Sequence, residues 1–133
     1  LMEVAALTPP AQTDGVSLVR LWQAPSTRLD RQELFWHLPH YHHSTPASAI
    51  RAGDWKLIEF FEEGTVELYH LKSDPSESQN LAAAQVAVAQ RLRDSLAAWR
   101  LRVQAALPRP NPDYVPARAL ELGKSNERRN RKK

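Results

Sequence analysis

The stretch Ala49-Ile50-Arg51-Ala52-Gly53-Asp54-Trp55-Lys56-Leu57-Ile58-Glu59-Phe60 leaves this chain few options. Two apolar-rich runs meet at Gly53, a residue able to take the positive φ that a tight hairpin demands. Ser48 to Ala52 and Asp54 to Phe61 therefore read as paired strands. Glu62-Glu63-Gly64 supplies a second turn, and Thr65 to Leu71 returns as a third strand. Leu57 and Ile58 are adjacent apolar residues, which fits a central strand covered on both faces or a bulge. Upstream, Gln32 to Leu38 is a fourth strand candidate. It ends at Pro39, whose ring removes a ladder donor.

Downstream the period changes. Val88, Leu92, Leu96, Trp99 and Val103 follow helical steps and form one apolar stripe, predicting a helix from Leu81 to about Ala106. Arg91, Arg93, Asp94, Arg100 and Arg102 lie mostly off the stripe. Asp74-Pro75-Ser76-Glu77 has the form of a capping box: Asp74 accepts from freed amides, Pro75 suits the first helical position, and Glu77 reaches back. Pro108 and Pro110 stop the helix. The expected fold is α+β, a small four-stranded, mainly antiparallel sheet packed against one long C-terminal helix. Trp36, Ile50, Leu57, Leu68 and Trp99 are expected to share its interior, and Trp36, Trp55 and Tyr69 to act as packing anchors.

Three regions follow. Residues 1–31 read as the end of a preceding domain and a linker: Leu1 to Leu7 resembles the end of a helix, and Asp14-Gly15-Val16-Ser17-Leu18 opens a short apolar element through Trp22. Residues 32–107 form the folded subdomain. Residues 108–133 read as an extended arm and a disordered basic tail. A block that small has a marginal core and leans on a partner surface.

Charge is segregated. The chain carries +3 overall. Lys124 to Lys133 holds six basic side chains against one acid, a net of +5, which leaves −2 for the remainder. The folded block is thus mildly acidic, and specific nucleic-acid binding would rest on a tail without interleaved aromatics. No apolar run is long enough to cross a bilayer. The 133 residues include no cysteine, which excludes disulfides, thiolate metal sites and cysteine nucleophiles in this chain.

These phrases together resemble a known family. Arg51-Ala52-Gly53-Asp54-Trp55-Lys56-Leu57, then Glu67-Leu68-Tyr69-His70-Leu71, then Asp74-Pro75-Ser76-Glu77-Ser78-Gln79-Asn80-Leu81 are similar to the C-terminal subdomain of the type I sulfatases, the arylsulfatase-like branch of the alkaline phosphatase superfamily. Asp14 to Leu18 and Trp36-His37-Leu38-Pro39-His40-Tyr41 match further phrases. His70 departs from an aspartate common there, and Arg20 from a proline. The resemblance implies a role in a sulfuric ester hydrolase: supporting its fold and lining its substrate pocket. The partner implied is an N-terminal catalytic sulfatase domain lying against the sheet. A free sheet face could instead self-associate. Calcium and formylglycine are implied for the parent, and neither for this chain, which lacks the cysteine that becomes formylglycine. On this reading the fragment alone is inactive. The resemblance points to a periplasmic or extracellular parent, although no residue here bears on compartment.

Four of the five histidines crowd into His37, His40, His42 and His43. Imidazoles titrate near neutrality, bind metals and hydrogen-bond anions. Three readings stand open: a polar loop with its histidines structurally satisfied, the lip of a substrate pocket, or a metal site. The metal reading lacks template spacing and a nearby carboxylate. The resemblance singles out His37, His40 and Tyr41 as substrate-binding. Arg51 joins them as a guanidinium able to grip a sulfate or carboxylate bidentately, or to bridge this block to its neighbour. A rival class is an autonomous binding module that uses the histidine loop or basic tail.

Overall fold

The computed structural model describes residues 2–8, 10–11, 13–41 and 44–115. A short helix α1 (Val19–Gln23) leads to strands β1 (Glu33–Leu38), β2 (Ala47–Ala52), β3 (Trp55–Phe60) and β4 (Val66–His70), then helix α2 (Val86–Arg102). The strands form one antiparallel meander in the order β1-β2-β3-β4. This is the α+β arrangement expected from the sequence.

The hairpins follow from two glycines. Gly53, at φ +59°, begins the two-residue loop between β2 and β3, and Gly64, at φ +65°, closes the next turn. The pairing through β3 is unbulged, with Ile50 opposite Leu57 and Leu57 opposite Leu68. Of the two readings of Leu57-Ile58, the regular ladder rules out the bulge: Leu57 is fully buried towards α2, while Ile58 is half-buried on the opposite face, which this chain leaves open.

Register fixes two faces. Phe35, Ile50, Leu57 and Leu68 lie in one row facing α2, where Ala89, Leu92 and Leu96 complete the core. Phe35 stacks on Trp99 with centroids 4.8 Å apart. Among the described residues, five large apolar side chains are fully buried: Ile50, Leu57, Leu68, Leu92 and Leu96. Each stabilises by roughly 1.5–3 kcal/mol relative to exposure. That is a small core.

Trp36 does not join it. Strand alternation sends it to the opposite face, where it is 51% exposed. The expectation of a shared interior fails there, because Phe35 takes the inward place beside Trp99. Leu34 and Leu38 share Trp36's outward side and are also exposed. Val103, expected to close the helix stripe, lies beyond α2 and is exposed.

The expected capped helix start is also corrected. Asp74 caps a turn: its two carboxylate oxygens accept from the backbone N–H groups of Ser78 at 3.1 Å and Gln79 at 2.9 Å. Glu77, at φ +55°, does not reach back but grips Lys56. The helix begins twelve residues after Asp74, at Val86. Between them, Asn80-Leu81 docks on the outer edge of β4. Leu68 N–H donates to Asn80 Oδ1 at 3.1 Å, and Leu81 N–H donates to the Leu68 carbonyl at 2.7 Å. The exposed ladder groups of an edge strand are thereby satisfied locally.

Two helix-closing turns occur, one at Met2–Leu7 and one after α2. Leu7 N–H donates to Met2 O and Ala6 N–H to Glu3 O, with Ala6 at φ +55°. Ala105 N–H donates to Arg100 O and Gln104 N–H to Leu101 O, with Gln104 at φ +52°. Each is the paired 6→1 and 5→2 pattern that ends a helix through a left-handed residue. Met2 to Leu7 thus has the closing-turn geometry expected of it, while α2 stops at Arg102, ahead of the prolines.

Candidate functional site

The inward face of β1 places His37 beside Ser48 of β2, its register partner. Nδ1 of His37 lies 2.7 Å from Ser48 Oγ, and Nε2 lies 2.7 Å from the carbonyl oxygen of Ala106. A carbonyl can only accept, so Nε2 carries a proton and donates to Ala106, while Nδ1 pairs with the Ser48 hydroxyl, which can donate or accept. Both nitrogens are occupied. A substrate contact at His37 requires one of these hydrogen bonds to open. The ring also meets Phe61 edge-on at 5.8 Å. His37 therefore ties β1 to the segment that follows α2, across 69 positions of sequence.

Arg51 stands on the other face, opposite Lys56 and Leu34. Its Nε donates to the Gly53 carbonyl at 3.3 Å, leaving the guanidinium exposed. Beside it Lys56 Nζ donates to both oxygens of Glu77 at 2.6 and 2.7 Å. Trp36, Leu38, Ala49, Ile58 and Leu71 floor an open depression that Arg51, Lys56 and Glu77 rim. Apolar floor with a charged rim is the anatomy of a surface that another body covers.

His40 and Tyr41 follow the far end of β1, where Pro39 ends regular pairing. His40 is exposed, and so is Tyr41. The Glu62 carboxylate beside it pushes the Tyr41 hydroxyl up to about 12. Tyr41 is therefore a neutral hydroxyl donor at physiological pH. Arg51 lies four residues along β2 from Ala47, the residue paired with the last position of β1. At the usual strand rise that is about 13 Å. The structure thus keeps Arg51 apart from the His37 clamp, on the opposite face. His42, His43 and the basic tail from Lys124 to Lys133 lie outside the described residues.

One charged group here was missed from sequence. Glu59 sits on the helix-facing side of β3, 7% exposed, in register with Ser48. Arg93 Nε donates to one oxygen and Arg100 Nη1 to the other, both at 2.7 Å. Burial alone pushes this carboxyl up, but the two guanidiniums outweigh it and hold it below the usual carboxylate range. The signal was available: Glu59 shares parity with buried Leu57, and Arg93 and Arg100 are seven apart, two turns of one helix face. Arg100 also covers the Phe61 ring at 5.3 Å.

Comparison with known proteins places this arrangement. The family model described as N-sulphoglucosamine sulphohydrolase, C-terminal, matches residues 1–102. A Delta 4,5-hexuronate-2-O-sulfatase of Bacteroides thetaiotaomicron is 32% identical over 89 residues, 62% of this chain and 18% of that protein. A sulfatase of Formosa agariphila is 32% identical over 122 residues, 79% of this chain and 22% of that protein. The chain spans about a fifth of the length of these curated relatives. Among solved structures, a 2-O glycosaminoglycan sulfatase superposes with a TM-score of 0.65 at 24% identity, over 78% of this chain and 23% of its own. A second, solved with its substrate D-glucosamine-2-N,6-O-disulfate, gives 0.63 at 24%, over 80% and 23%. At that identity the superpositions speak to fold alone.

Proposed function

Since the chain belongs to the family of N-sulphoglucosamine sulphohydrolase C-terminal domains, we propose that it braces a sulfuric ester hydrolase and borders that enzyme's substrate pocket. The observation that carries this reading is the uncovered sheet face, where Trp36, Leu34 and Leu38 are exposed beside Arg51. A larger N-terminal catalytic domain resting there would bury them. Self-association through the same face is the competing outcome.

The chemistry of ester cleavage belongs to sequence other than these residues. The cysteine that serves as the precursor of formylglycine is missing, because the chain has no cysteine. Among the described residues, no three His, Asp or Glu side chains converge to hold a metal such as calcium. Neither group fits the described residues. Its own residues bind and orient. Arg51 offers a charged fork for a sulfate or carboxylate. His40 and Tyr41 offer a ring nitrogen and a neutral hydroxyl at the pocket lip, and His37 holds that lip in place through Ser48 and Ala106. The hexuronate 2-O-sulfatase relative supports a sulfated, uronate-containing glycan as the substrate class.

Kinetics of the parent enzyme test the reading. Arg51→Gln and His40→Ala should each raise KM for a sulfated uronate disaccharide by about 10-fold or more, the worth of a hydrogen bond to a charged group, with kcat moved less. The chain assayed alone should release no sulfate. Unchanged kcat/KM in both variants, or sulfate release by the isolated chain, would overturn it.

A further inference from the structure

A second concavity lies on the other side of the His37 clamp. After α2, the Gln104 turn reverses the chain, and the bond from His37 Nε2 pins Ala106. Leu107-Pro108-Arg109-Pro110 then runs as an arm whose prolines fix φ and withhold donors, so it stands off from the sheet edge as a preformed wall. At its far end Asn111 turns the chain back: Asp113 N–H donates to Asn111 Oδ1 at 3.0 Å, and Tyr114 N–H to the Asn111 carbonyl at 3.1 Å. Tyr114 thereby joins Tyr41 and Glu62 in lining a groove of about 550 Å³. Phe61 floors it, held by His37 on its edge and Arg100 over its face.

The lining is chemically mixed in a specific way. Three aromatic rings (Tyr41, Phe61 and Tyr114) give flat apolar surface, while Glu62, Arg109 and Asn111 give an acceptor, a cationic fork and an amide. These three polar groups are exposed, and a purely apolar ligand lying over them would strip their water without replacing it. A ring with one apolar face, several hydroxyls and one anionic substituent would satisfy all of them. The volume lies within the range of small-molecule sites.

We infer that this groove is a saccharide subsite, taking one sugar ring that bears a carboxylate or sulfate, with the anion on Arg109 and hydroxyls on Glu62 and Asn111. It rests on the reading that the parent acts on a sulfated glycan, and adds to it a subsite on the opposite side from Arg51. The ring stacks between Tyr41 and Tyr114, and the His37 clamp acts as a positioning residue for the arm.

Amide NMR of the full chain tests this, using a sulfated heparin disaccharide, its desulfated counterpart and inorganic sulfate as probes. The expected result is saturable perturbation at Tyr41, Phe61, Glu62, Arg109 and Tyr114 with the sulfated disaccharide. The desulfated form should bind the same residues if the uronate carboxylate suffices. Arg109→Gln, at an exposed position, should weaken binding about tenfold, and Arg91→Gln on the exposed side of α2 should leave it unchanged. Absence of saturation at these residues, equal response to inorganic sulfate alone, or insensitivity to Arg109→Gln would overturn the subsite. Such a failure with the Arg51 kinetics intact would remove the groove and leave the proposed function standing.

Discussion

Arg100 Nη1 donates to Glu59 Oε2 at 2.7 Å from a position where its side chain is only 13% exposed. That ion pair, completed by Arg93, joins the central strand to the helix across the sheet–helix interface. Removing Glu59 leaves a guanidinium stranded in a largely apolar setting. Glu59→Ala should cost about 3 kcal/mol, measured by urea unfolding at neutral pH. Arg93→Ala, whose side chain is 46% exposed, should cost under about 1 kcal/mol.

The same pair sets an acid limit. A carboxyl held below its ordinary value in the folded state contributes stability above its unfolded pKa and loses it as pH falls through the folded one. Glu59 behaves so because of Arg93 and Arg100. Asp74 does so because the amides of Gln79 and Ser78 donate to it. Stability should fall on the acid side of the carboxylate range, and Glu59→Gln should flatten that decline in a pH series of denaturation midpoints.

Asn80 works at a sheet edge. Its Oδ1 accepts from both Leu68 N–H and Ala82 N–H. Asn80→Ala leaves the Leu68 amide beside an uncompensated edge and should cost about 1–3 kcal/mol. Hydrogen exchange at Leu68 should accelerate accordingly, while exchange in β2 follows only the global loss.

Gln104 occupies a left-handed position that closes α2. Gln104→Gly should stabilise by roughly 0.5–1 kcal/mol, since glycine adopts that conformation without the Cβ clash. A thermal melt reads the gain. Lower stability in that variant would contradict the closing-turn geometry.

Much of the fold was legible because its turns are chemically explicit. Gly53 and Gly64 mark reversals that only a few geometries satisfy, and the stripe through Leu92 and Leu96 has one period. Three features were not legible, for physical reasons. Asp74-Pro75 carries the pattern of a helix cap, yet the same carboxylate caps an irregular turn equally well, so the pattern alone cannot place Val86 as the start. β1 offers Leu34, Trp36 and Leu38 on one side and Glu33, Phe35 and His37 on the other. It is the mixed side that turns inward, because Phe35 stacks on Trp99 while Glu33 and His37 find partners there. His37 meets Ala106 because the whole helix lies between them; such a long-range hydrogen bond leaves no trace in local spacing.

The most direct measurement is oxidative footprinting of Trp36 in the isolated chain and in the intact parent enzyme, with half-buried Trp99 as internal reference. The account predicts that Trp36 is oxidised readily in the isolated chain and is strongly protected in the parent, while Trp99 changes little. Equal reactivity of Trp36 in both would contradict the claim that this sheet face is built to be covered by the catalytic domain.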